Sequence, residues 1–440
     1  MKLVRLNSGD HFTLMMDHEI RKSGFAGNFC AIGLQLQGVP DLLELEQRCN
    51  RFSKRFPRAV ARLQPHGRQY TWRMAPSLSL PFQHHDLRSK GEDTAYSQME
   101  EIINRRSLPV ESPPVEIHLI QQESSSWLML RWYHPACDAK GAELIIHHLF
   151  QDDSTEPANS DSLVEKILQD WGWWRKIRLG FQAKRYIDRL DRYNSVMPIP
   201  EAIDTSGKSV GAGVNGELAV FIEEFAIESS TRILLNARKA TGMTGTALYF
   251  IGCMMRALQR LDEDVEGEAF LVPYAVNFRR NRAIYPVFGN QVSFLFLQAE
   301  RHIVRSREKL FAQLKEQNRV AITQRQDLAM LPLMQAASWL TLEKHGGMVR
   351  QTPKGRERSS FWFSYTGGMA PAQNEILGCP IISMTQMSQV TAPPALGLLV
   401  NNFQGRLILS LNYAKGRFSR EWIQRLVSML GSELVAEECE

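Results

Sequence analysis

The chain has 440 residues, 44% of them hydrophobic, enough to bury one large core or two ordinary ones. Lys and Arg number 52 against 47 Asp and Glu, a formal charge of +5 that is too small over this length to mark a nucleic-acid binder. No run of about eighteen apolar residues occurs, and MKLVRLNSGDHF has no apolar stretch after its charges, so neither a spanning helix nor a secretory signal is expected and the cytoplasm is the default location.

Six cysteines (Cys30, Cys49, Cys137, Cys253, Cys379 and Cys439) stand far apart with no CxxC pair, which argues against a zinc knuckle or a disulfide framework and for reduced thiols. In chain order, residues 28–150 read as mixed α and β. Phe29–Gln37 ends in alternating apolar positions that suit a strand, and Pro40-Asp41 opens a helical pattern through Leu42, Leu43, Leu45 and Phe52, with Pro57 just beyond. Ala95–Arg106 fits a helix, and after Pro113-Pro114 come two strands, Val115–Gln121 and Trp127–Tyr133. The second is almost wholly apolar, which places it centrally with both faces covered.

Residues 196–216 turn to Pro, Gly, Ser and Asp with little to pack, and form the expected linker between an N-terminal unit, 1–195, and a C-terminal unit, 217–440. Beyond it, Glu217–Phe225 reads as a strand, Ser229–Leu261 as two helices separated near Gly242, and Phe270–Val276 as a buried strand. The fold class is therefore α/β (α+β) in both halves. No sequence repeat and no low-complexity tract is present.

The run Tyr133-His134-Pro135-Ala136-Cys137-Asp138 puts a histidine at the end of a buried strand, four residues before an aspartate that opens the helix Ala139–Phe150. An imidazole there can meet a ligand at the strand's carboxyl edge and act as a general base. The residues alone equally allow a satisfied core histidine, with Asp138 as an ordinary N-cap. Cys137 has no activating neighbour in the sequence and is read as a loop residue rather than a nucleophile.

Several ordered stretches carry a resemblance that decides between these readings. LRWYHPACDAKGAELIIHHLF looks like the HHxxxDG strand, loop and helix of the CoA-dependent acyltransferase superfamily, which includes nonribosomal-peptide condensation domains, wax ester synthases and the BAHD enzymes. His134 matches the second histidine and Asp138 the aspartate. RRSLPVESPPVEIHLI and RCNRFSKRFPRAVARL are similar to segments upstream of that motif. LVPYAVNFRRNRAIYPVFGNQVSFLFL, with Gly289 and Asn290 at the Gly-Asn positions, together with Phe363–Gly368 and the closing LILSLNYAKGRFSREWIQRLVSML, resembles the C-terminal half. Two positions depart from the pattern. Tyr133 stands where many members have the first histidine, and Ala139 where most have glycine, with Gly141 two residues later; a left-handed backbone at Ala139 would cost about 1 kcal/mol.

The resemblance implies a stand-alone acyltransferase of two chloramphenicol-acetyltransferase-like subdomains with a tunnel between them and His134 near its middle. It implies an acyl-CoA or acyl-carrier-protein donor, that is, a CoA or phosphopantetheine thioester as substrate with no further cofactor, and a small alcohol acceptor giving an ester. Amide formation on an amine by a condensation-type enzyme, or a catalytically silent relative that binds a carrier protein, are the alternatives. His134 is the expected general base, Asp138 the structural partner of Arg279, and Gly141, Asn290, Ser364 and Tyr133 the candidates for the oxyanion site or the tunnel wall.

His84-His85-Asp86 and His147-His148 lack a carboxylate-rich partner motif, and adjacent side chains point apart, so no metal site is expected. Gly242 and Gly245 lack the phosphate-loop spacing and read as a break between helices. Residues 171–193 carry seven Lys/Arg against two Asp, interleaved with Trp, Phe and Tyr. Such a helix fits either a bridging element that packs its aromatics on the core or one in peripheral contact with an anionic membrane.

Overall fold

The computed structural model describes residues 3–67, 69–75, 78–90, 94–151, 162–198, 216–261, 267–280, 283–351, 357–369 and 374–436. Most of the expected linker lies outside them. The chain opens with β1 (Leu3–Arg5) and α1 (Ser8–Lys22), then β2 (Phe29–Gln37) and α2 (Leu42–Arg55). Three short strands follow, β3 (Arg62–His66), β4 (Gln69–Arg73) and β5 (Phe82–Asp86), and then α3 (Thr94–Asn104), β6 (Val115–Gln121), β7 (Ser125–Tyr133) and α4 (Ala139–Phe150). Two helices, α5 (Leu163–Gln169) and α6 (Trp173–Leu190), complete this part.

The second part begins with β8 (Leu218–Glu224), α7 (Ile227–Thr241) and α8 (Thr246–Leu261); Gly242 ends α7 at φ 81° and ψ 177°, a backbone that glycine adopts without strain. A long antiparallel pair, β9 (Ala269–Asn277) and β10 (Val292–Glu300), leads into α9 (Arg301–Val304), α10 (Arg307–Thr323), α11 (Gln326–Ala337) and α12 (Leu342–Arg350). The chain then runs through β11 (Trp362–Gly368), β12 (Glu375–Ile376), β13 (Cys379–Ser388), β14 (Leu396–Phe403) and β15 (Arg406–Ala414) to α13 (Arg420–Val435).

The largest sheet has the order β12-β13-β2-β7-β6-β5. Its centre is buried on both faces, as the near-continuous apolar sequence of β7 requires. Leu128, Leu130 and Trp132 pack in one core layer with α2 and α4, while Trp127, Met129 and Tyr133 enter another beneath α3. β13 reaches this sheet from far along the chain and lies antiparallel to β2, with Met384 opposite Leu34. A second sheet, β11-β14-β15-β8, packs its other core against α7, α8 and α13. Leu179 and Ala183 seat α6 on α11, and Trp171 joins that cluster, but Trp173, Trp174 and Phe181 stay outside it.

Candidate active site

β7 delivers its last residue, Tyr133, into the apolar layer beside Phe29, and the chain then turns sharply. The His134 amide donates to the Asn28 carbonyl at 2.9 Å, a single 3-10 turn covers His134–Ala136, and Cys137 is fully extended. The Trp132 indole closes the turn by donating to the Cys137 carbonyl at 3.1 Å. Asp138 then caps α4, its carboxylate accepting from the Gly141 amide at 2.8 Å.

Capping takes only part of that carboxylate. Arg279, on the connection between β9 and β10, donates from Nη1 to both oxygens of Asp138 at 2.8 and 2.7 Å, and the Gln291 amide donates to Oδ2 at 2.8 Å. The side chains of the pair are 2% and 5% exposed. Arg279 is held in turn by the Pro286 carbonyl, 2.9 Å from Nε. The cap and the ion pair, alternatives at the level of sequence, are therefore one arrangement. A buried pair of this kind fixes geometry more than it adds stability.

The expected strain at Ala139 does not arise. Ala139 is the first residue of α4 and is absent from the positive-φ residues of the chain, because the turn is made earlier by the 3-10 turn and the extended Cys137. The glycine requirement falls two residues on. A Cβ on Gly141 would overlap the Val287 carbonyl and lie 2.8 Å from Cys137 Cβ, so the β9–β10 connection can approach α4 only because that position lacks a side chain. Opposite it, Gly289 takes φ 87°, donates its amide to the Ala136 carbonyl at 2.7 Å and pairs with Cys137 in an isolated parallel bridge.

Asn290 ties the same connection to the His134 turn. Its Nδ2 lies 2.9 Å from the His134 carbonyl and 3.0 Å from Asp10 Oδ1, and its own amide donates to Asp10 Oδ1 at 2.6 Å. The other oxygen of Asp10 accepts from Arg58 at 2.8 Å. Asp10 and α1 were not anticipated from the sequence. The available signal was Asn7-Ser8-Gly9-Asp10, which forms a reciprocal capping box.

His134 lines a cavity of about 670 Å³ whose walls come from both halves of the chain. Phe12, Met16 and Ile20 of α1 form one side, Tyr274 and Phe294 of the β9–β10 pair another, and Trp362–Thr366 of β11 a third. The ring's Nδ1 is buried and meets no hydrogen-bond partner in good geometry among the described residues, so the edge that reaches the cavity carries Nε2. Burial holds the pKa of His134 below the ordinary 6.5; its own carbonyl, Asp138, Asn290 and Asp10 oppose that shift without overcoming it. The ring is accordingly neutral at pH 7, with a lone pair to offer.

Among the other candidates, Ser364 of β11 lines the cavity, and its hydroxyl makes no hydrogen bond among the described residues. Gly141 and Asn290 do not line it: the Gly141 amide belongs to Asp138, and the Asn290 amide is committed to His134, Asp10 and Thr13. Tyr133 is 1% exposed and packs on the far face of the sheet. These three residues thus support the loop or the core and do not line the cavity. Burial pushes the Cys137 thiol well up, leaving it protonated and unsuited to attack. His84 and His85 point to different partners, Gln121 at 2.9 Å and His118 at 3.1 Å, and His148 meets the Ile284 carbonyl at 3.0 Å. Among the described residues no group of three His, Cys, Asp or Glu could hold a metal ion.

Comparison with solved structures identifies the fold. It is similar to the trichothecene 15-O-acetyltransferase of Fusarium sporotrichioides, with a TM-score of 0.73 at 12% identity over 98% of this chain and 95% of that one. It is equally similar to the first condensation domain of the CDA synthetase, with a TM-score of 0.73 at 15% identity, covering 99% and 96%. The fold is that of the condensation domains and CoA-dependent acyltransferases. A third such structure, the SgcC5 protein of Streptomyces globisporus, matches with a TM-score of 0.67 at 16% identity over 98% and 97%. No protein-family model and no curated protein matches the sequence.

Proposed function

We propose that the protein is an acyltransferase that moves an acyl group from a thioester, on CoA or on a carrier protein's phosphopantetheine arm, to a hydroxyl acceptor, with His134 as general base. The observation that carries this reading is the accessible Nε2 edge of a neutral His134 in a cavity walled by both halves of the chain. As the acceptor oxygen attacks the thioester carbonyl, its proton passes to Nε2 and a C–O bond forms. Collapse of the tetrahedral intermediate breaks the C–S bond, and the same proton goes to the departing thiolate. The balance needs no acyl-enzyme, which agrees with the protonated, buried state of Cys137. Base catalysis of this kind supplies about 10²- to 10⁴-fold.

Ser364 is the side chain best placed to donate to the oxyanion, since it faces the cavity with its hydroxyl uncommitted. Arg280, next to Arg279 in sequence, also lines the cavity, and its charge suits a donor whose tail carries phosphate, whereas Lys140, another lining residue, is paired with Glu143 at 2.5 Å. The apolar side chains of α1 and β10 suit the acyl part. The test is thiol release and product mass with a panel of acyl-CoAs and acyl-carrier proteins against alcohols and amines. An ester formed by the wild type and lost with His134→Ala is expected; amides formed in preference to esters would move the assignment to a condensation-type reaction.

A further inference from the structure

The outer face of α6 takes no part in the reaction described above. Trp174, Arg178, Phe181, Arg185 and Arg189 recur at intervals of four, three, four and four residues, which places them in one stripe along the helix. The stripe points away from the core, since Leu179, Ala183 and Leu190 hold the opposite side. Trp174 is 80% exposed and Phe181 64%, and Trp173, in the first turn of the helix, is 70% exposed. Arg178 and Arg185 make no ion pair among the described residues. The neighbouring acid, Asp188, is already neutralised by Lys184 at 2.6 Å. Arg325, on the turn between α10 and α11, lies against the same flank and adds another cation.

Large exposed aromatics cost solubility, and unpaired arginines repel one another, so this combination is disfavoured in water unless something covers it. An acidic protein partner would satisfy the charges. It would not by itself use the exposed indole and phenyl rings that stand between the guanidinium groups, beside the shallow clefts that Gln182 and Gln324 share with them. A bilayer interface uses both, taking the rings to the level of the headgroups and the arginines to lipid phosphates. We infer that the outer face of α6 docks on an anionic phospholipid surface, laying the helix in the plane of the membrane and leaving the rest of the protein outside the bilayer. No described helix is long and apolar enough to cross a membrane, so the contact is peripheral.

The experiment is co-sedimentation of the full chain with vesicles of phosphatidylcholine alone and of phosphatidylcholine mixed equally with phosphatidylglycerol. The wild type is expected to sediment with the mixed vesicles, not with the neutral ones, and to be released by high salt. Arg178→Gln with Arg185→Gln should weaken that partition about 25-fold, since each basic residue near an anionic surface contributes about fivefold. Trp174→Ser with Phe181→Ser should weaken it on either side of the salt titration. Both pairs are fully surface changes, and circular dichroism checks that the fold is kept. No sedimentation with either vesicle, equal binding to both, or a wild-type partition retained by the arginine pair would each overturn the inference. So would selective capture of an acidic carrier protein by α6 in place of lipid.

Discussion

Removing the carboxylate of Asp138 should destabilise the whole protein. Asp138→Ala leaves Arg279 buried without its counter-charge, a change that costs about 3 to 5 kcal/mol for a pair this enclosed. It also strips the Gly141 amide of its cap, worth about 1 kcal/mol more. With about 2.1 cal/mol/K of unfolding entropy per residue, a 440-residue chain loses about 1 °C of Tm per kcal/mol, so a fall of about 4 to 6 °C is expected by scanning calorimetry. Asp138→Asn separates the two contributions, since an amide oxygen still accepts from Gly141 while the charge is gone. Adding Arg279→Met should then recover at least half of the loss, because two neutral side chains of similar volume leave no ion uncompensated. A drop of less than about 1 °C for Asp138→Ala, or no recovery in the double variant, would refute the buried-pair account.

Three further outcomes follow from the same geometry. Gly141→Ala should force α4 and the β9–β10 connection apart, costing about 1 to 3 kcal/mol by urea denaturation and lowering turnover with it. Ser364→Ala should lower kcat by up to about 100-fold while leaving donor affinity and Tm unchanged, whereas Asn290→Ala should lower Tm. Burial pushes His11 and His345, stacked at 5.5 Å between α1 and α12, from 6.5 down to about 4. Because the folded pKa lies below the unfolded one, the unfolded chain takes up protons first. Stability present above pH 6.5 should therefore fall as pH drops towards 4, by about 3 kcal/mol for each ring at the limit. Denaturant titrations at both ends of that range, with His11→Phe/His345→Phe expected to flatten the dependence, check it.

Elements whose burial follows a simple period were legible from the sequence. β2, β6, β7 and α4 lie where the apolar pattern puts them, because each buries one face or both in a continuous layer. α1 was missed because Asp10, His11, Thr13 and Asp17 are buried polar residues that break its apolar period. The pairing of β13 with β2 is set by contacts across most of the chain, which no local pattern records. At the site, the histidine, the aspartate and the arginine were readable as residue types, and the structure brings Asp138 and Arg279 together beside His134. The roles of Gly141 and Asn290 were not readable, since a close backbone approach and a committed amide are three-dimensional facts. The same holds for Ala139, whose departure from the glycine pattern is harmless because helical backbone begins there.

The most direct test is a single-turnover measurement of ester formation, using whichever thioester donor and alcohol the wild type accepts, on the wild type and on His134→Ala. The variant is expected to keep its Tm and donor affinity while product formation falls by about 10² or more, and the wild-type rate should fall with acid only below pH 6.5. A folded His134→Ala protein that turns over at the wild-type rate would contradict the account.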